Sequence, residues 1–199
     1  MNKVRVGVLA SGRGSNLDAL IAAAKAPDYP AQIVLVISNN PDAGALAKAQ
    51  DAGIATVVVD HRPYKGDREA HERAIDAALK AADVELVALA GYMRVLTPVL
   101  VDAWAGRMLN IHPSLLPDHP GLDTHQRAID AGDIEHGCTV HWVTLGVDEG
   151  PIMGQARVHV LPDDSEQSLA ARVLAEEHKL YPACLGQAAA RLRAAGKAS

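Results

Sequence analysis

The stretch Val4-Arg-Val-Gly-Val-Leu-Ala10, continued by Ser11-Gly-Arg-Gly-Ser-Asn16, decides the architecture of this chain. Its first part is an almost continuous apolar run, which predicts a buried strand. Its second part is a glycine-rich turn, and residues 17–24 then have the composition of a helix. Strand, turn and helix in this order begin a βαβ unit, in which successive strands run parallel.

The same alternation of strand and helix continues along the chain. Further strands are predicted at residues 33–37, 55–59, 84–89 and 107–111, and helices at residues 43–52, 67–82 and from Thr97-Pro98 onward. This pattern predicts an α/β fold with a doubly wound, mainly parallel sheet, which we expect to form a single domain over residues 1–199. Such a sheet binds ligands at the carboxyl ends of its strands.

The pattern changes after the fifth strand. A helix is predicted at residues 124–131, and two further strands at residues 137–143 and 154–161. Because only the loop 144–151 joins these two strands, we expect them to pair antiparallel at one edge of the sheet.

A long helix is predicted at residues 165–180, beginning with a capping box of Ser165 and Ser168. Proline lacks the N–H that a helix interior needs, so Pro182 is expected to interrupt this helix. Residues 186–199, rich in Ala and Arg, are expected to form a frayed tail.

The glycine-rich turn favours phosphate binding, because backbone N–H groups and the start of a helix surround one point there. Leu17 stands where the third glycine of the dinucleotide fingerprint belongs, and the lysine of a Walker loop is missing too. A monophosphate is therefore the expected ligand, with Ser15 or Asn16 capping the helix. A plain tight turn is the alternative.

A second functional pattern lies at the end of the fifth predicted strand. Asn110 and His112 are two residues apart, so their side chains point to the same side of a strand. Prolines 113, 117 and 120 stiffen the loop that follows. An amide beside an imidazole suits acyl transfer, because one group can stabilise an oxyanion while the other moves a proton. A buried histidine with a purely structural hydrogen bond is the alternative.

The composition argues against several classes of function. Of the 199 residues 49% are hydrophobic, yet only 3% are aromatic and none is phenylalanine, so the core is expected to be aliphatic. The formal net charge is −5 and Lys and Arg are not clustered, which argues against nucleic-acid partners. No apolar run reaches the roughly 20 residues of a membrane span.

Cellular location and metal binding can also be predicted. Cys138 and Cys184 lack CxxC spacing, and no signal-peptide pattern follows Met1, so we expect reduced thiols and a cytoplasmic protein. Five histidines fall within residues 112–141, but none of their spacings is typical of a zinc site. No metal is expected.

Four motifs occur here in the order found in folate-dependent formyltransferases: Ser11-Gly-Arg-Gly-Ser-Asn16, Ala90-Gly-Tyr-Met-Arg-Val-Leu96, Asn110-Ile-His-Pro-Ser-Leu-Leu-Pro117 and Val147-Asp-Glu-Gly-Pro151. The chain resembles this family from Val4 to about Leu185, and the first and third motifs point to its phosphoribosylglycinamide formyltransferase branch. The resemblance implies a Rossmann-like fold. It also implies formyl transfer from the co-substrate 10-formyltetrahydrofolate to the amine of glycinamide ribonucleotide, a step of purine biosynthesis, by a monomer or weak homodimer.

The resemblance also assigns roles to single residues. The catalytic residues that it implies are Asn110, His112 and Asp148. The residues implied to bind the substrate phosphate and ribose are Gly14, Ser15, Asn16 and Glu177. Those implied to bind folate are Arg68, Met93, Arg94, Val95, Leu96, Asn110, Thr144 and Val147. Asp123 stands where many members carry histidine, so an extra carboxylate is expected near the site.

In the implied reaction the glycinamide amine attacks the formyl carbon, while Asn110 and a protonated His112 donate hydrogen bonds to the oxyanion. Asp148 is expected to keep His112 protonated, so the pKa of His112 should lie above its usual value of about 6.5. Asp148 can also pass protons, through water, from the amine to the departing folate nitrogen.

Two other functions stay open. A formyltetrahydrofolate deformylase, or a transferase for another amine, belongs to the same superfamily. Deformylases and formyl-tRNA-forming enzymes carry an additional domain, which 199 residues are not expected to hold. A nucleotide-binding module that uses only the glycine-rich loop would bind phosphate without binding folate.

Overall fold

A computed structural model describes residues 3–195 as one α/β sheet structure. The elements are β1 (Val4–Ala10), α1 (Ser15–Ala24), β2 (Ala31–Ser38), α2 (Gly44–Asp51), β3 (Ala55–Val58), α3 (Arg68–Ala81), β4 (Leu86–Leu89), α4 (Pro98–Ala103), β5 (Met108–His112), α5 (Thr124–Ala131), β6 (Glu135–Trp142), β7 (Ile152–His159) and α6 (Glu166–Ala195). The seven strands lie in the order β3-β2-β1-β4-β5-β6-β7.

The predicted fold class is confirmed. Strands β1 to β5 pair in parallel, whereas β6 pairs antiparallel with β5 and β7 with β6, so the antiparallel pair lies at one edge. β1 has the predicted bounds, and the ends of the other strands differ from the prediction by two residues at most. Within residues 3–195 no helix has both the length and the apolar character needed to cross a membrane.

Two aliphatic layers enclose the sheet. On one face α1 and α6 bury Leu17, Leu20 and Leu185 against the strands. On the other face α3 and α4 bury Ile75 and Leu100. Because both faces of the central strands are covered, those strands need apolar residues at nearly every position, which explains the continuous runs in the sequence.

Helix α6 corrects the prediction for the end of the chain. It continues through Pro182 to Ala195, so residues 186–195 do not fray, while residues 196–199 lie outside the described part. Beyond the proline, the side chains of Leu185, Ala188 and Ala189 are completely buried against the sheet. Their burial outweighs the roughly 3 kcal/mol that a proline costs inside a helix.

The start of α1 corrects a second prediction. The helix is capped by the backbone of Gly14, with φ of 73°, and neither Ser15 nor Asn16 caps it with a side chain. A Cβ at Gly14 would lie 2.9 Å from the Cα of Ala45 in α2. Glycine is therefore required here twice, for the left-handed backbone and for the close approach of α2.

Candidate active site

A cavity of about 650 Å³ opens at the carboxyl ends of β4 and β5. The structure brings most of the predicted site residues to its wall: Asn16, Met93, Arg94, Val95, Leu96, Asn110, His112, Thr144, Val147, Asp148 and Glu177. Its volume is in the range of small-molecule sites. The cavity therefore lies at the carboxyl ends of the strands, where a sheet of this kind is expected to bind its ligands.

β5 holds Asn110 and His112 rigidly on the cavity side, as their spacing predicts. Nε2 of His112 lies 3.0 Å from the carbonyl oxygen of His119, in the loop after β5. Nδ1 of the same ring lies 3.3 Å from Oδ2 of Asp148, in the loop between β6 and β7. The side chains of His112 and Asp148 are only 7% and 9% exposed. The two loops thus bring an imidazole and a carboxylate together in a nearly dry place.

The carbonyl of His119 determines which nitrogen of His112 carries the proton. A carbonyl oxygen only accepts hydrogen bonds, so Nε2 must be the donor in this contact. In the neutral ring Nδ1 is then an unprotonated acceptor, and it faces the carboxylate of Asp148. Two acceptors at this distance can share one additional proton.

The protonation expected for His112 is wrong. Burial lowers the pKa of His112 below its usual value, although the carbonyl of His119 and the charge of Asp148 act in the opposite direction. Removal from water disfavours the charged imidazolium, and one carboxylate does not offset this cost. The resting ring is therefore expected to be neutral at pH 7.

Asp148 is held as a carboxylate. Burial alone would raise its pKa, but contacts with His141, the backbone N–H of Gly121 and His112 outweigh burial, and its pKa lies below the usual value. The Gly121 N–H donates to Oδ2 over 3.0 Å. Asp148 has a φ of 57°, a left-handed backbone that aspartate tolerates better than most residues.

His141 is a member of this cluster that the sequence did not single out. It lies opposite Asn110 in the antiparallel pairing of β5 with β6. Its Nε2 lies 3.2 Å from Nδ2 of Asn110 and 3.6 Å from Oδ1 of Asp148, while Nδ1 contacts the carbonyl of Trp142. The Nε2 atom of His141 therefore lies between the amide and the carboxylate. The signal that could have found it is the register between the two strands, which the sequence pattern leaves open.

A second polar group faces the cavity near α1. Nδ2 of Asn16 donates to Oε2 of Glu177 over 2.7 Å. Glu177 is 6% exposed, and burial raises its pKa, although the bond from Asn16 lowers it. Oδ1 of Asn16 is buried and has no hydrogen-bond partner. Gly14 and Ser15 are not among the residues of the cavity wall, but they begin the helix beside it.

Ser11 joins the glycine-rich loop to the opposite wall of the cavity. Its hydroxyl donates to Oδ1 of Asn39 at the end of β2, and accepts the backbone N–H of Met93. Its own N–H donates to the carbonyl of Gly91. The loop and the segment after β4 therefore keep a fixed distance from each other.

The other end of the cavity is apolar and open. Five large apolar side chains on its wall are each more than half exposed: Met93, Val95, Leu122, Leu145 and Val147. Exposed apolar groups gathered around a cavity are typical of a binding site for a ring system.

Comparison with known proteins identifies the family. The sequence profile of the formyl transferase family, described as "Formyl transferase", matches residues 4–185. The chain belongs to the formyl transferase family.

The relatives of this formyl transferase include single enzymes and parts of longer proteins. It is 46% identical to phosphoribosylglycinamide formyltransferase of Haemophilus influenzae over 89% of this chain and 84% of that protein. It is 49% identical to the trifunctional purine biosynthetic protein adenosine-3 of Drosophila melanogaster over 91% of this chain. There it spans only 14% of the length of that protein.

Solved structures of the family have the same fold. The crystal structure of phosphoribosylglycinamide formyltransferase from Brucella melitensis matches with a TM-score of 0.91 and 54% identity, covering 95% of this chain and 97% of that one. Glycinamide ribonucleotide transformylase 1 from Symbiobacterium toebii matches with a TM-score of 0.91 and 44% identity, over 94% and 88% of the two chains.

Two predicted residues of this formyl transferase stand apart from the others. Arg68 begins α3 with an exposed side chain and is not on the cavity wall, so its role in folate binding stays a prediction. Asp123, before α5, does lie on the wall, where it places the expected extra carboxylate. Among residues 3–195 no group of three or more His, Cys, Asp or Glu side chains is arranged to hold a metal ion.

Proposed function

We propose that this chain transfers the formyl group of 10-formyltetrahydrofolate to the amine of glycinamide ribonucleotide. The observation that carries the proposal is the cluster of Asn110, His112 and Asp148 in a cavity that has the start of α1 beside one end and an apolar opening at the other. Each end suits one of the two substrates, and the cluster lies where their reacting groups would meet.

The ribonucleotide occupies the end of the cavity beside α1. Its phosphate accepts hydrogen bonds from the first N–H groups of α1, at Gly14, Ser15 and Asn16, where the helix dipole favours an anion. Its ribose hydroxyls contact Glu177 and the buried Oδ1 of Asn16, which otherwise lacks a partner. A buried acceptor without a donor is costly in the free protein, so a sugar hydroxyl is a suitable partner.

The formyl folate occupies the apolar end. Its ring system lies against the segment from Met93 to Leu96 and the loop residues Thr144 and Val147, whose exposed apolar groups it would cover. The formyl group then points inward to Asn110. Arg68 contributes only to parts of the folate that extend out of the cavity, because its side chain is exposed at the start of α3.

The reaction begins when the amine nitrogen forms a bond to the formyl carbon and the carbonyl electron pair moves to oxygen. The second N–H of the Asn110 amide donates to this oxyanion, since the first is directed to His141. The bond from the formyl carbon to N10 of the folate then breaks, and the carbonyl forms again. N10 leaves with the proton that the amine has lost, so atoms and charges balance.

His112 and Asp148 transfer that proton. In the resting site a neutral Nδ1 faces an ionised carboxylate, and the pair carries one negative charge. It can take the amine proton as the new bond forms and then give it to N10, either directly or through a water molecule. The developing oxyanion favours the protonated ring, so the imidazolium is an intermediate state and not the resting one.

The proposal also covers the cellular location, the partners and the oligomeric state of the enzyme. Cys138 and Cys184 are buried free thiols, which suits a reducing compartment, and we infer a cytoplasmic location. The partners are the two small-molecule substrates, and a monomer or weak homodimer is the expected state of the protein.

A single assay tests the proposal. The protein is incubated with 10-formyltetrahydrofolate, with and without glycinamide ribonucleotide, and release of tetrahydrofolate and of formate is followed. The proposal predicts tetrahydrofolate release that depends on the ribonucleotide, without formate. Formate release without the ribonucleotide would indicate a deformylase. Binding of the ribonucleotide without any turnover would indicate a nucleotide-binding module.

A further inference from the structure

We propose that His119 and Asp133 form a positioning pair that holds the loop 117–121, and through it the proton-transfer pair of His112 and Asp148. This inference rests on the proposed formyl transfer, because it concerns how the site of that reaction is aligned. Neither residue lines the cavity, so neither is expected to touch a substrate.

The loop contacts both members of the proton-transfer pair with its backbone. The carbonyl of His119 accepts the hydrogen bond from Nε2 of His112. Two residues later, the N–H of Gly121 donates to Oδ2 of Asp148. One short segment therefore determines the tautomer of the imidazole and also orients the carboxylate that faces it.

The side chain of His119 fastens this segment to a rigid part of the fold. Its Nε2 lies 2.6 Å from Oδ2 of Asp133, and the two side chains are 15% and 33% exposed. Asp133 follows the end of α5, and its backbone N–H donates to the carbonyl of Ala128 in that helix. A charge-assisted bond of this length is among the stronger contacts that a loop can make.

The backbone of His119 needs such support. Its φ is 49°, a left-handed conformation that costs free energy for a residue with a side chain. Arg127 of α5 also holds the loop, through its bond to the carbonyl of Pro120. Without the side-chain bond to Asp133, the peptide group after His119 can rotate, and its carbonyl then leaves Nε2 of His112.

A second histidine ring packs against His119. The ring of His136 meets that of His119 edge to face at 6.1 Å, and His125 bonds to Nε2 of His136. Burial lowers the pKa of His136 to about 4, so this neighbour adds no positive charge at neutral pH. The charge opposite His119 is therefore that of Asp133.

Two variants of Asp133 and one control test the inference. Asp133→Ala removes the acceptor, Asp133→Asn keeps an oxygen that can accept the bond from His119, and Glu135→Ala removes a nearby exposed carboxylate that pairs with Arg157. The readouts are kcat, both KM values, the melting temperature and the ¹⁵N shifts of the two ring nitrogens of His112.

The inference predicts that Asp133→Ala lowers kcat about 10-fold through misalignment, with both KM values changed less than about twofold. The ¹⁵N shifts of His112 should move from the Nε2–H tautomer towards a mixture. Asp133→Asn should recover most of the lost kcat, and Glu135→Ala should leave kcat and the shifts unchanged. An unchanged His112 tautomer in a folded Asp133→Ala protein would overturn the inference.

A further variant covers the case in which Asp133→Ala does not fold. Asparagine tolerates the left-handed backbone, so His119→Asn adds no backbone strain at this position. Its side chain is too short to replace the ring bond to Asp133, so the carbonyl of residue 119 should leave Nε2 of His112 and the His112 tautomer should shift. If the tautomer is unchanged there, the pair has no positioning role. The ring shifts need no turnover, so they decide this question even if the protein proves inactive in the formyl transfer assay.

Discussion

Nδ1 of His112 lies 3.3 Å from Oδ2 of Asp148, with 7% and 9% of the two side chains exposed. In the neutral ring, which burial favours by lowering the pKa of His112, the proton lies on Nε2 and is directed to the carbonyl of His119, so this contact then joins two acceptors without a proton between them. The arrangement is ready to take up a proton, which is the event that attack by an amine requires.

Asn110 should be required for catalysis more than for binding. In Asn110→Ala the oxyanion loses its amide donor, and kcat is expected to fall by about 10²–10³. The KM values should change little, because the oxyanion exists only after attack. Steady-state kinetics with each substrate varied in turn measure both quantities. A variant with a normal kcat and a raised folate KM would make Asn110 a binding residue only.

Asp148 should be required as a charge. Asp148→Asn keeps the shape of the side chain but removes half of the proton-accepting pair, so kcat is expected to fall by about 10²–10⁴. Glu149→Gln is the matched control, since Glu149 is the adjacent, exposed carboxylate of the same loop. Equal losses in the two variants would mean that the loop as a whole, and not Asp148, is needed.

The value of kcat/KM should fall in acid, and the midpoint of this fall should lie at a lower pH than the usual pKa of a histidine. The proton-accepting form of His112 is the neutral ring, which is lost as the pH falls through its pKa. Burial places that pKa below the usual value, so the acid limb of kcat/KM should have its midpoint below about pH 6.5. A profile from about pH 4.5 to 8 measures it. A midpoint above the usual histidine value would support the imidazolium as the resting form.

Replacing Glu177 by glutamine should stabilise the protein but weaken its binding of the ribonucleotide. Burial raises the pKa of Glu177 in the folded state, so folding favours its protonated form. The stability that Glu177 contributes is therefore complete below its pKa in the unfolded chain and is lost as the pH rises through its pKa in the folded protein. Glu177→Gln avoids that loss and should raise Tm by a few degrees at pH 7, but not at pH 4.

The same variant should bind the ribonucleotide less well. Loss of one charge-assisted hydrogen bond to the ribose is expected to raise the ribonucleotide KM about 10-fold, with the folate KM unchanged. Thermal unfolding at the two pH values and steady-state kinetics provide the comparison. A raised folate KM would place Glu177 at the other end of the cavity.

The sequence predicted most of the sheet because its strands are buried on both faces and leave continuous apolar runs. It did not predict that α6 continues past Pro182. The free-energy cost of a proline inside the helix is opposed there by the burial of Leu185 and Ala188, and only the tertiary structure shows which of the two effects is larger. The prediction that Ser15 or Asn16 caps α1 was wrong for a similar reason. Helix α2 brings Ala45 so close to position 14 that only glycine fits there, and this contact between distant residues cannot be read from the local sequence.

In the site, too, features set by the local sequence were predicted, whereas features set by the tertiary structure were not. Asn110 and His112 were predicted together because strand periodicity places them on one side. His141 was missed because its place opposite Asn110 depends on the register of β6, a long-range property. The protonation of His112 was predicted wrongly because the position of Asp148 was considered without the cost of burial, which the sequence does not show.

The most direct test of proton transfer between His112 and Asp148 is an NMR titration of His112 in the unmutated protein and in Asp148→Asn. We expect a His112 pKa below about 6.5 in the unmutated protein, with the resting proton on Nε2, and a still lower pKa in the variant, because Asp148 stabilises the charged ring. An identical titration in the two proteins, or a resting imidazolium at pH 7, would contradict the proposed proton transfer between these two residues.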